Sequence, residues 1–153
     1  MKTLIAYQTK GGATRTYAEA IAQSLKSNGF EVDLYDLKNT KPDITKYQLV
    51  IVGAGVRMFI VYGRWKKILK HKRLGETKFA MFLTSGTAIE NPEEAIEKWV
   101  NPLIEKYKLK PLAVGSFPGI VPEKFDEKGT MQNAVKPEIA SQWAQEIADK
   151  LRS

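Results

Sequence analysis

Cysteine is absent from the 153 residues, which excludes disulfides, thiolate nucleophiles, and Cys-ligated zinc or iron–sulfur clusters. Histidine occurs once, at His71, so a His-rich metal site is excluded too and no metal ligation is expected. Any redox chemistry then has to come from a bound organic cofactor. No run of about 18 apolar residues is present, so no membrane span is expected. The first residues read as a strand and show no cleavable-signal pattern, which makes the cytoplasm the expected address. Acids are missing from one stretch. Between Arg57 and Arg73 stand seven cations (Arg57, Arg64, Lys66, Lys67, Lys70, Lys72, Arg73) and no Asp or Glu. The formal net charge is +7, so the remainder of the chain sums to zero and one face or edge should be basic.

What is present is ordinary for a folded soluble chain: 43% hydrophobic and 27% charged residues, in a length that suits one domain over 1–153. The stretch Thr9-Lys10-Gly11-Gly12-Ala13-Thr14 organises it. It follows the apolar run Leu4 to Tyr7, a first strand, and precedes Tyr17, Ala18, Ile21, Ala22 and Leu25, spaced as one helical stripe. Glycine lets backbone approach a ligand, and the free N–H groups of a helix start attract an anion, so this turn suits a phosphate. A nucleotide triphosphate loop needs Gly-Lys-Ser/Thr at its end, whereas Lys10 precedes the glycines; a dinucleotide fingerprint needs three spaced glycines, and only Gly11-Gly12 is here. A plain strand-to-helix turn is the bland alternative.

Further along, Asn28-Gly29 stops the helix, Phe30 to Leu37 alternates as a second strand, and Lys38 to Lys46 is a polar connection with room for a helical turn. Tyr47 to Ala54 and Phe79 to Leu83 are continuous apolar strands, as expected where both faces of a parallel sheet are covered. Gly53-Ala54-Gly55-Val56-Arg57-Met58-Phe59 opens a loop leading to a helix over about Tyr62 to Lys70. Thr84-Ser85-Gly86-Thr87-Ala88 opens another, before a capped helix start at Asn91-Pro92. That helix should run through Ile96, Trp99, Val100, Leu103, Ile104 and Tyr107, kinked near Pro102. Leu112 to Val114 is a short fifth strand, Phe117 to Lys136 a long loop, and Pro137 starts a last helix with Ile139, Ala140, Trp143, Ile147 and Leu151 on its stripe. Five strands alternating with helices and no hairpin signal imply a doubly wound, five-stranded parallel α/β sheet, with ligands at the carboxyl ends of its strands.

The spacing Thr9-x-x-Gly12-x-Thr14 resembles the phosphate loop of the flavodoxin family, with Gly11 and Ala13 departing from the usual Thr and Asn. The resemblance implies strand order 2-1-3-4-5 and FMN as cofactor. It assigns the phosphate to Thr9, Lys10, Gly11, Gly12, Ala13 and Thr14, and the ring to Ala54, Gly55, Val56, Arg57, Met58 and Phe59 with Thr84, Ser85, Gly86, Thr87 and Ala88. No side chain is then catalytic, since the flavin does the chemistry. Phe59, Tyr62 and Trp65 could stack on the ring, although Tyr62, Trp65 and Leu69 also have the spacing of plain core. Gly53 to Trp65 and Val114 to Gly119 are similar, more narrowly, to the flavodoxin-type protoporphyrinogen oxidases, in which Arg57 or Arg64 would hold substrate carboxylates.

The implied function is a carrier of electrons. A protoporphyrinogen or quinone oxidoreductase is the alternative, and a cofactor-free binding module a second one. His71, in a cationic run at a helix end, suits the helix dipole better than catalysis, and Glu93, Glu94 and Glu97 read as a solvated face. Unit charges about 8 Å from a flavin are worth roughly 2 kcal/mol each at an effective dielectric of 20, so the basic run should make the potential less negative. It should also draw an acidic redox partner, a carboxylated or quinone substrate, or an anionic membrane surface by peripheral association. A solvated lysine-rich helix is the bland alternative, and no motif supports nucleic-acid binding.

Overall fold

The computed structural model of the chain describes residues 1–8, 12–57, 60–61, 67–120, 129 and 133–152, with backbone alone at 57, 60, 61, 72 and 73. Five strands form one parallel sheet: β1 (Lys2–Gln8), β2 (Glu31–Asp36), β3 (Leu49–Arg57), β5 (Lys78–Ser85) and β6 (Ala113–Pro118), in the order β2-β1-β3-β5-β6. A two-residue strand, β4 (Ile60–Val61), turns back antiparallel on the end of β3. The expected order is therefore present, with a small hairpin that the sequence pattern did not signal.

The inner strands are apolar runs because both faces are covered. Side chains alternate across the sheet. Ile5, Tyr7, Ile51, Ala80, Phe82 and Phe117 pack under α1 (Ala13–Ser27) and α5 (Pro137–Arg152). Leu4, Ala6, Val50, Val52, Met81 and Leu83 pack on the other face against Leu37, Ile44, Leu69, Leu74, Val100 and Leu103. α1 buries the expected Tyr17, Ala18, Ile21, Ala22 and Leu25. It ends where expected: Phe30 N–H donates to the Leu25 carbonyl and Gly29 N–H to Lys26, at 3.0 Å each, a paired closure of the last turn. The polar connection holds one 3₁₀ turn, Ile44–Lys46, with Asp43 accepting from the Thr45 amide.

Other expectations need correction. The last strand runs to Pro118 rather than Val114, because β5 offers it partners as far as Ser85. The segment after Asn91 is not one α-helix. α2 (Thr87–Glu90) and α3 (Pro92–Ala95) are followed by a π turn at Ile96–Val100 and then α4 (Asn101–Tyr107). A proline inside a helix lacks its N–H and crowds the carbonyl four residues back, and here a wide turn precedes Pro102. Asn91 does cap α3, accepting from the Glu94 amide at 3.0 Å. On α5 the buried stripe is Ala140, Trp143, Ala144, Ile147 and Ala148, whereas Ile139 is exposed. Of the expected helix over Tyr62 to Lys70, 67–69 is a helical turn, while Tyr62 and Trp65, like most of the long loop after Gly119, lie outside the described residues.

Gly53 in β3 has no room for a side chain, because a Cβ there would run into the Phe82 ring. Gly53→Ala should lower stability by roughly 1–3 kcal/mol, the usual effect of overfilling a packed core. Adding Phe82→Leu should return part of that loss. Urea denaturation of the two single variants and the double should show the double losing less than the sum of the single losses; purely additive losses would contradict the steric account.

Candidate functional site

The register of the sheet brings three loops to one level. Gln8 at the end of β1 stands beside Ala54, Ala54 beside Leu83, and Gly55 beside Thr84. The chain leaves β1, β3 and β5 at the same end of the sheet. The β1 and β5 exits carry glycine and hydroxyl residues, whereas Gly53 and Gly55, expected to open a loop, still belong to β3, which runs to Arg57 because β4 pairs with its end. β6 adds a fourth wall, with Phe117 beside Thr84 and Pro118 beside Ser85.

On the first wall Gly12 adopts φ 88, ψ −16, the left-handed turn that starts α1. Among the described residues no side chain caps the helix, and its first turn holds no acid. The Thr16 amide and hydroxyl both donate to the Gly12 carbonyl, at 3.1 Å each. Ala13 and Thr14 are buried. The Arg15 guanidinium is turned along the exposed helix face to Glu19 at 2.8 Å, so it is not aimed at the turn. On the second wall Ala54 is buried and Gly55 and Val56 half-buried. On the third, Thr84, Ser85 and Ala88 are buried and Gly86 and Thr87 half-buried. Thr9, Lys10, Gly11, Met58 and Phe59 lie outside the described residues, and Arg57 is described by its backbone.

Two contacts tie these walls. Thr14 and Thr84 share a buried hydroxyl–hydroxyl hydrogen bond of 3.0 Å, at 1% and 4% exposure. It joins the start of α1 to the end of β5 across the sheet. The Ser85 hydroxyl accepts from the Ala88 amide at 3.2 Å, and the Gly119 amide donates to the Ser85 carbonyl at 2.9 Å. Ser85 thus holds its own loop closed and fixes β6 against it.

Tyr17 lies on the buried stripe of α1, and its polar end has a further role. Its hydroxyl donates to the Pro118 carbonyl at 2.6 Å and accepts from the Lys136 amide at 3.3 Å. One phenol on α1 therefore joins the end of β6 to the start of α5. A tyrosine on an otherwise apolar stripe was the available signal, since buried phenols seek a polar partner.

Comparison with known proteins agrees with this architecture. The sequence model of the flavodoxin domain matches residues 4–152. A 71-residue stretch is 31% identical to the protoporphyrinogen IX dehydrogenase (quinone) of Escherichia coli strain K12, and covers 46% of this chain but 39% of that protein. Among solved structures, the rubredoxin oxygen:oxidoreductase of Desulfovibrio gigas matches at TM-score 0.69 and 19% identity, over 99% of this chain and 36% of that one. A flavodoxin from the domain Archaea matches at 0.64 and 16% over the whole of both chains. Oxidised flavodoxin 1 from Bacillus cereus matches at 0.66 and 18%, over 97% of this chain and 98% of that one. At these identities the structural likeness carries the fold alone.

Two outcomes follow from the hydroxyl geometry. Thr14→Val or Thr84→Val alone strands a buried hydroxyl and should cost about 1–3 kcal/mol, while the double variant should lie close to the wild type, as measured by urea denaturation. Burial first, and Glu138 to a lesser degree, raise the Tyr17 phenol above its usual 10.0, against the lowering effect of the Lys136 amide. An acid group raised on folding keeps its full contribution below the unfolded value and loses it as pH climbs through the folded one. Tyr17→Phe should therefore lose a roughly constant 1–2 kcal/mol at neutral pH for its two hydrogen bonds, yet show a shallower fall in stability above about pH 10 than the wild type.

Proposed function

The chain belongs to the flavodoxin domain family, and on that premise we propose that it binds FMN at the carboxyl ends of β1, β3 and β5 and passes electrons through the bound flavin. The observation that carries this reading is the convergence, in register, of the carboxyl ends of β1, β3 and β5, with glycines on all three and the first and third tied by the Thr14–Thr84 bond. The residues present fit a phosphate. Gly12 turns the chain into a 15-residue helix that, among the described residues, has neither a side-chain cap nor an acid in its first turn. Orphan amides at such a start, aligned with the helix dipole, favour a negative group.

When bound, FMN would supply the one- and two-electron chemistry that no side chain of this chain offers. The protein's own task is then to hold and shield. In this reading Gly12, Ala13 and Thr14, with Thr9, Lys10 and Gly11, hold the phosphate. Ala54 to Phe59 line one side of the ring, and Thr84 to Ala88 meet its polar edge. The buried Ala54 and Ala88 exclude water from that edge while leaving backbone groups within reach. The basic run from Arg57 to Arg73 would favour an acidic redox partner through its field rather than through fixed contacts.

The similarity to the Escherichia coli quinone-linked dehydrogenase supports a second reading, a quinone- or porphyrinogen-directed oxidoreductase in which Arg57 or Arg64 grips substrate carboxylates. Absorbance of the purified protein tests the common premise. Flavin bands that persist through gel filtration after FMN addition are expected, and a colourless protein that fails to retain FMN would overturn both readings. A carrier should then accept electrons from a flavodoxin reductase with no porphyrinogen turnover. An oxidoreductase should turn over, with Arg57→Ala raising KM more than it lowers kcat.

A further inference from the structure

At the opposite end of the sheet the surface opens into a groove of about 540 Å³, within the usual range for binding clefts. Its floor is apolar, made by the buried Leu69, Leu74 and Phe79 with the half-buried Leu109. Its rim carries Lys70, His71, Lys108 and Lys110, and none of the described residues lining it is acidic. The Lys70 and Lys106 ammonium groups stand over the Tyr107 ring, 5.7 and 5.5 Å from its centroid, which gathers positive charge along one wall. Lys108, the cap residue of α4, sits at φ 54. Glycine ends a helix there with less strain, so a cation occupies a position that backbone energy alone would not assign to it.

The groove is distant from the loops described above. Phe79 is near the start of β5 and Ser85 at its end, so at about 3.3 Å per residue they are some 20 Å apart. An occupant of the groove leaves the carboxyl-end loops open. The form of the surface narrows what that occupant is. A flat bilayer reaches the exposed lysines but not a recessed floor, and a free inorganic anion gains nothing from Leu69, Leu74 and Phe79. A large apolar side chain carried between carboxylates satisfies both parts.

We infer that this groove is a docking site for an acidic segment of a partner protein, which seats one large apolar side chain on the Leu69–Leu74–Phe79 floor and sets carboxylates against Lys70, Lys108 and Lys110. The protein is thereby held at one end of its sheet, with the carboxyl-end loops left open at the other. The inference does not depend on the flavin reading.

The probe is a fluorescein-labelled acidic peptide with a single central Trp, titrated against the full chain by fluorescence anisotropy at about 150 mM salt. Lys108→Glu with Lys110→Glu should weaken binding at least ~10-fold, and replacing the peptide's Trp by Ser should do the same. A charge-matched pair elsewhere, Lys26→Glu with Lys41→Glu, should change it less than ~3-fold, as general attraction alone would. All four lysines are exposed, and circular dichroism checks that each variant folds. Equal losses in the two pairs, or indifference to the Trp, would overturn the docking site in favour of unspecific attraction. Binding to phosphatidylserine vesicles without binding to the peptide would overturn it in favour of a membrane surface.

Discussion

Four aromatic rings fix the spacing on which the loop end of the sheet depends. Phe82 lies where a side chain at position 53 would go, with its ring centroid 5.6 Å from Phe117 and 5.9 Å from Trp143. Phe117 and Trp143 meet edge to face at 5.7 Å, and Tyr17 closes on Phe117 at 5.0 Å. Tilted and edge contacts of this kind contribute beyond simple burial. They also tie together α1, β5, β6 and α5, the elements around three of the four walls. Gly115 belongs to the same arrangement, since a Cβ there would come within 2.8 Å of Phe117 and 3.1 Å of Trp143. Small residues at 53 and 115 and large ones at 82, 117 and 143 are therefore one packing solution. Tyr17 extends it into the polar surface through Pro118 and Lys136.

The parts legible in the sequence are those that local chemistry or burial determines. Inner strands of a covered parallel sheet have to be apolar throughout, and Leu49 to Val52 and Phe79 to Leu83 are. Asn28-Gly29 and Asn91-Pro92 carry their own stop and start chemistry, and both act as expected. Other features depend on partners far along the chain. Gly115, Ser116 and Pro118 are poor strand formers, and β5 alone makes them a strand. Ile139 is apolar but exposed, while Ala140, Ala144 and Ala148 are buried because small side chains let α5 lie close to α1 and the sheet. Of the site, the turns after β1 and β5 were legible from their glycines and hydroxyls, while the glycines at 53 and 55 pointed to a loop where β3 continues to Arg57. The bond that joins two of them was not, since Thr14 and Thr84 are 70 positions apart.

The sheet also separates two kinds of surface. Its loop end offers backbone amides, hydroxyls and buried alanines, with the nearby Arg15 already engaged by Glu19. Its other end offers lysines around an apolar recess. A field from exposed cations falls off over about 8–10 Å at moderate salt, so cations at the distant end act little on the loops. Of the cations that stand together in sequence, Arg57 ends β3 and Lys70 lines the recess, so the connection between β3 and β5 reaches both ends of the sheet.

The Thr14–Thr84 pair carries one further consequence for the loop end. Two hydroxyls bring two hydrogens and share one in their mutual bond, so the accepting partner keeps a hydrogen to donate elsewhere. Buried as both are, that hydrogen needs an acceptor. If Thr14 donates to Thr84, the spare hydrogen sits beside β5. If Thr84 donates, it sits on Thr14, in the first turn of α1, among amides that already point outward. Under the phosphate reading, an anion at that turn selects the second orientation, and donation from Thr84 polarises the Thr14 hydroxyl toward it. The third wall then acts on the first without touching the ligand's phosphate. Two loops that are independent in sequence become one donor array.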